Sequence, residues 1–350
     1  MNYVLSIFLF AFSLPALSRQ IGKSHQGPED FFVFKTERNF KKISFSAEPE
    51  DCRANIAKVV CLTDKMVTDH DPAKRFCEEG GAAYATYFEQ LYDHSPPVIQ
   101  KMFCSLDYLF IEKSFEGTAY AGTIKNPAGE SIGALMGIRK SVLDEALNLS
   151  TWASWKEQLS FGGINDSYTL TPSLPQITTV SNPGVSDFLY FVVAHEFGHI
   201  FDFANKLNAT SNCKNPGEDE PECNFAEGSW GALTWETNKI PTKENDYAHR
   251  NQLCFYWCKD QFITSSETAE FFAGLQASAF LSTYASSNPW DDFADSLAYY
   301  LMDQNLNTTY VIDTKQGANH DIIKKMKSPV FAPKYKYIQN FLSRTDIIYP

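Results

Sequence analysis

Basic residues are the scarce class in this 350-residue chain: 30 Lys and Arg stand against 42 Asp and Glu, a formal charge of −12. With no basic stripe to neutralise phosphates, a nucleic-acid or anionic-membrane partner is not expected. Long apolar runs are missing beyond the first sixteen residues, so no later stretch is predicted to cross a bilayer. There is no internal repeat and no low-complexity linker. Acidic clusters such as Glu218-Asp219-Glu220 are expected to be solvated loop.

The single apolar run, Val4 to Ala16, is short for a membrane span and ends at Ala16-Leu17-Ser18, with small residues at the −3 and −1 positions. Residues 1–18 therefore read as an export signal, cleaved near Ser18 to leave Arg19. Met1-Asn2-Tyr3 supplies no Lys or Arg, so an uncleaved anchor is the alternative. No cysteine follows the signal to carry a lipid. The mature protein is expected to be secreted or periplasmic. Eight cysteines (52, 61, 77, 104, 213, 223, 254 and 258) suit an oxidising compartment and four disulfides. Eight allow 105 connectivities, and four on each side of residue 195 favour bridges within each half. Cys254 and Cys258 stand i,i+4 without a CxxC pair, which favours disulfide partners elsewhere over metal binding. Sequons occur at Asn148, Asn165, Asn208 and Asn307.

About 330 residues remain after the signal, enough for one large domain or two lobes. Residues 19–51 suggest either a strand pair or a pro-segment. Helical patterning begins near Asp71, breaks at Gly80-Gly81, and yields to a short helix after Pro96-Pro97. Strand-like runs follow at 108–111, 118–123 and 132–138, then a helix over 143–159. Residues 168–180 are extended and interrupted by Pro172 and Pro175, which fits either an edge strand open to an extended peptide or an irregular connector. A helix is expected from an N-cap at Ser186 to about Lys206. Residues 208–242 read as a disulfide-tied surface loop, with a turn at 228–231. Helices are expected over 248–262, 267–284, 289–303 and 334–342.

The chemistry concentrates in Val192-Val193-Ala194-His195-Glu196-Phe197-Gly198-His199-Ile200, an HExxH pattern inside an apolar helical run. The i,i+4 spacing puts both imidazoles on one helix face, where they can share a Zn²⁺ ion. Glu196 then stands beside the metal, placed to take a proton from bound water. Phe191, Val192, Ile200 and Phe203 give that helix a buried side.

A catalytic zinc site needs a third protein ligand. Position 205 is Asn205, so HExxHxxGxxH is ruled out, and His25, His70, His94, His249 and His320 bear no such relation to the motif. The helix opened by Asn288 and Pro289 is the better source. Its buried stripe is Phe293, Ala294, Leu297, Ala298 and Leu301, with Asp291 and Asp295 at the border and Asp292, Ser296 and Tyr300 further outward. Asp291 is thus favoured as ligand over Asp292, and Asp295 as hydrogen-bond acceptor for a zinc-bound imidazole. Acids in a first helical turn also arise simply by offsetting the macrodipole.

HEFGH on one helix, followed about ninety residues later by an acidic ligand on another, resembles the zincin metallopeptidases of gluzincin type. Trp290-Asp291-Asp292-Phe293-Ala294-Asp295 is similar to the W-E-D-F/W-A-E segment of some bacterial zinc-binding metallopeptidases, with Asp where they carry Glu. The shorter side chain requires either a closer helix or Asp292 as the ligand instead. The resemblance covers roughly residues 95–305. It implies an α+β zincin-like fold, a mixed sheet with helices in an N-terminal lobe, a mainly helical C-terminal lobe, and a zinc cleft between them. On that reading 19–94 is an N-terminal region of pro-segment or accessory helices, and 95–350 is the catalytic domain. The implied activity is hydrolysis of a peptide or protein substrate with Zn²⁺ held by His195, His199 and Asp291, and Glu196 as general base. Tyr299, Tyr247 and His249 are candidate oxyanion donors, and Asp202 a candidate support. The alternatives are a catalytically silent zinc-binding module and a cell-wall amidase; retention of Glu196 speaks against the first.

Overall fold

Continuous apolar runs make the first sheet. The computed structural model describes residues 49–63, 77–115, 117–125, 130–163, 168–182, 184–213, 222–255, 258 and 262–350. The readings of residues 1–18 and 19–48, of the acidic cluster at 218–220 and of the Asn165 sequon lie outside them. Helix α1 (Pro49–Val59) runs straight into strand β1 (Val60–Thr63). Helices α2 (Ala82–Asp93) and α3 (Pro97–Ser105) lead to β2 (Leu106–Glu112), followed by β3 (Ala119–Lys125) and β4 (Ser131–Arg139). Sheet order is β1-β2-β4-β3, the first three parallel and β3 antiparallel on the edge. Leu109, Phe110 and Ile111 are all buried, as expected of a strand covered on both faces. Cys52–Cys104 joins α1 to α3, and Cys61–Cys77 ties down β1.

The single helix expected over 143–159 is two, α4 (Lys140–Asp144) and α5 (Leu149–Leu159). Ala146 takes a left-handed φ of 46°, and the Asn148 side chain restarts the helix by accepting from the Thr151 N–H. Strand β5 (Gln176–Val180) does not offer an open edge. One side pairs with β6 (Thr309–Asp313), which pairs in turn with β7 (His320–Asp321). On the other side, the Ser154 and Ser150 hydroxyls of α5 accept from the backbone N–H groups of Ile177 and Thr179.

Helix α6 (Asp187–Asn205) is capped by Ser186, whose hydroxyl accepts from Leu189 N–H, and stops at Lys206 in the left-handed region. Beyond it lie α7 (Thr268–Ala277), α8 (Pro289–Leu306), α9 (Ile322–Met326) and α10 (Ala332–Leu342). The C-terminal half is therefore not simply helical, since β6 and β7 complete a second sheet. The helix expected over 248–262 is, among the described residues, only a 3₁₀ turn at Arg250–Gln252. Ser160 explains the departure: its hydroxyl bonds both the N–H and the C=O of Cys254, taking backbone groups that a helix would use. Cys254 pairs with Cys258 and Cys213 with Cys223, so all four bridges stay within their own half. The expectation that Cys254 and Cys258 find partners elsewhere is thus corrected. Among the described residues the protein is mixed α/β, with ten helices and none long and apolar enough to cross a membrane.

Helices α6 and α8 form the central contact of the molecule. A Cβ built on Gly198 would stand 2.7 Å from the Ala294 Cα, so the two backbones touch there. Only glycine permits that approach. It brings the first turn of α8 up against the middle of α6.

Candidate metal centre

Most of α6 is buried around its whole circumference, because its sequence is apolar on nearly every face apart from the motif, Asp202 and the two ends. His195 and His199 point the same way one turn apart, and their Nε2 atoms lie 3.1 Å from each other. Asp291, in the first turn of α8, places Oδ1 3.4 Å from both nitrogens. These three donors form a buried group capable of holding a metal ion. Asn288 does more than cap α8. Its Oδ1 accepts from the N–H groups of Trp290 and Asp291, while its Nδ2 donates to Asp291 Oδ2 at 2.6 Å, turning Oδ1 towards the imidazoles.

Behind His195, Nδ1 bonds Asp295 Oδ1 at 2.7 Å, and the other oxygen of Asp295 accepts from the Ser282 hydroxyl. Burial alone would depress the His195 imidazole, but Asp291 and Asp295 outweigh it and raise it to about 9 in the metal-free chain. Glu196 is buried beside the group, and its Oε2 has no hydrogen-bond partner among the described residues. Burial raises its pKa, against the pull of both histidines.

Asp292 corrects the expected outward orientation. It is 0 % exposed, and its carboxylate is gripped by Lys334 of α10, with Trp230, Trp235 and Thr234 also donating to Oδ2. Ser296 is buried as well, and Tyr300 is partly so. The segment 208–242 is correspondingly not just surface loop, for Trp230 and Trp235 are core residues. Asp202 supports the end of α6 rather than the metal group: it is buried, accepts from the backbone and side-chain N–H groups of Asn208, and is raised by burial to about 6. The Asn208 amide also donates to Pro289 C=O, which leaves that sequon occluded in the fold.

The three candidate oxyanion donors have other engagements. The Tyr247 hydroxyl bonds Ser286, His249 faces Glu267 and Glu270, and Tyr299 packs against Phe191 and Tyr310. Sequence reasoning places Asn288 only as the residue opening its helix and misses its bond to Asp291, although an Asn three positions before a candidate ligand is a readable signal. Ser282 and Lys334 carry none. The chain matches no family profile, no curated protein and no solved structure.

Proposed function

We propose that the chain is an exported zinc metallopeptidase, with His195, His199 and Asp291 holding the metal and Glu196 acting as general base. The separation of the three donors carries this reading: 3.1, 3.4 and 3.4 Å. Atoms bound at about 2.0–2.1 Å around a tetrahedral ion stand about 3.3–3.4 Å apart. Two imidazoles with one carboxylate suit Zn²⁺, whereas Ca²⁺ and Mg²⁺ favour shells of oxygen. When bound, Zn²⁺ would supply Lewis acidity and lower the pKa of a coordinated water towards ~7.

The chain's own groups do the rest. Asp295, as acceptor for His195 Nδ1–H, keeps Nε2 available as the donor nitrogen. Glu196, desolvated and with one oxygen uncommitted, takes a proton from the attacking water and delivers it to the leaving amine. A purely structural site would not need that carboxylate. Export is supported by the signal-like first eighteen residues and by four disulfides, which persist in oxidising compartments.

The test is Glu196→Gln. The variant should keep about one zinc per chain yet lose hydrolysis of a denatured protein mixture by several orders of magnitude. Wild-type cleavage should also stop on addition of chelator. Near-normal turnover in the variant would refute the base assignment, and cleavage of peptidoglycan but not protein would make the chain an amidase.

A further inference from the structure

Beside His195 lies a cavity of about 30 Å³. Phe191, one turn before His195 on α6, and Asp295 form the wall that the cavity shares with the metal group. Glu157 of α5 also lines it and is 6 % exposed. Thr283 Oγ1 donates to Glu157 Oε2 at 2.6 Å, whereas Oε1 is buried with no hydrogen-bond partner among the described residues. A buried acceptor left without a donor is costly. Burial has raised this carboxyl to about 7, and a cation alongside would restore its charge.

The remaining walls favour the same kind of ligand. Trp152, Tyr299 and Tyr310 border the cavity, and aromatic faces attract cations. The chain's own Lys156 shows that the rim accepts an ammonium: its Nζ lies 3.1 Å from the Tyr284 ring centre and 5.2 Å from that of Trp152. Of the two carboxylates in the lining, Asp295 is already bonded to His195 and Ser282, so Glu157 is the one with an oxygen left to meet a donor. Size narrows the choice further. A water-sized group needs about 10–15 Å³ of such space, so the cavity suits a compact ammonium head better than a four-atom planar guanidinium.

We propose that this cavity is a substrate pocket for a primary ammonium, either a lysine side chain or a free chain N-terminus, held by Glu157 against the aromatic wall. The inference rests on the peptidase reading and names its substrate class. It is tested by binding rather than turnover, with the zinc-loaded full chain carrying Glu196→Gln. The probes are short acetylated, amidated peptides that differ at one position: lysine, norleucine or arginine, plus the norleucine peptide with a free N-terminus.

The lysine peptide should bind roughly 10–100-fold more tightly than the norleucine peptide, as a charge-assisted hydrogen bond implies, with arginine close to norleucine. Adding Glu157→Gln should erase the difference. A gain confined to the free N-terminus would assign the ammonium to the chain end. Equal binding of all four peptides, a preference for arginine, or a lysine preference that survives Glu157→Gln would overturn the proposal. The lysine–norleucine comparison leaves the pocket unaltered, so it decides the matter even if the double variant carrying Glu157→Gln misfolds. Chelator-sensitive cleavage by wild type without any ammonium preference would sink this inference alone. An ammonium preference without such cleavage would sink the peptidase reading alone.

Discussion

Asp291 and Asp292 are neighbours in sequence, both fully buried, and they do opposite work. Asp291 faces two imidazoles, and Asp292 faces an ammonium on α10. Asp291→Ala should cost most of the bound zinc while leaving a folded chain. Asp292→Ala should instead lower stability by about 3–5 kcal/mol, because it strands the buried Lys334 charge. Paired zinc analysis and thermal melts separate the two, and equal losses of both properties in both variants would contradict the division. Asp295→Ala should weaken zinc binding by roughly 10–100-fold, the range for a partner of a ligating histidine. The apolar stripe of α8 was enough to place Asp291 on the side of the imidazoles. It could not show that the opposite side is buried too, because the covering groups come from Trp230, Trp235 and the distant Lys334.

At the level of elements, the contact between α6 and α8 explains how a short aspartate reaches the histidines. Gly198, next to His199, lets the backbones meet at Ala294, one turn beyond Asp291. Gly198→Ala should force the helices apart, lowering stability by about 1–3 kcal/mol and loosening the metal. Asp291→Glu alone, one methylene longer, should also bind zinc less tightly than wild type. The double variant should recover part of the loss, since helix spacing and ligand length then increase together. Strictly additive zinc affinities would rule out that coupling. The helix around HExxH and the three strands at 106–139 were readable because each carries a long or punctuated apolar pattern. Strand β6 was not, since Thr309–Asp313 is five residues long and its partner β5 lies more than a hundred residues earlier. Among the described residues of 248–262, the departure from a helix turns on the Ser160 hydroxyl, which holds both backbone groups of Cys254 and which no local pattern reveals.

For the whole molecule, pH response and metal content are the informative properties. His320 is buried, bonds the Leu281 carbonyl through Nε2, and is lowered by burial to about 4. Its folded form therefore binds protons less readily than the unfolded chain. The stability it supports is present above the unfolded value of about 6.5 and is lost as pH falls towards 4. Across that window the melting temperature of wild type should fall relative to that of His320→Gln by on the order of 5 °C. Comparing the two proteins cancels Glu157 and Asp202, whose raised pKa values act with the opposite sign. Parallel melting curves would show that His320 does not titrate in this range.

The most direct test of the account is anomalous diffraction at the zinc absorption edge from crystals of the zinc-loaded protein. One peak is expected between α6 and α8, about 2.0–2.2 Å from Nε2 of His195, Nε2 of His199 and an oxygen of Asp291, with Glu196 close by but not coordinated. No peak at that position, or a peak coordinated by other residues, would contradict the assignment of this group as the metal centre.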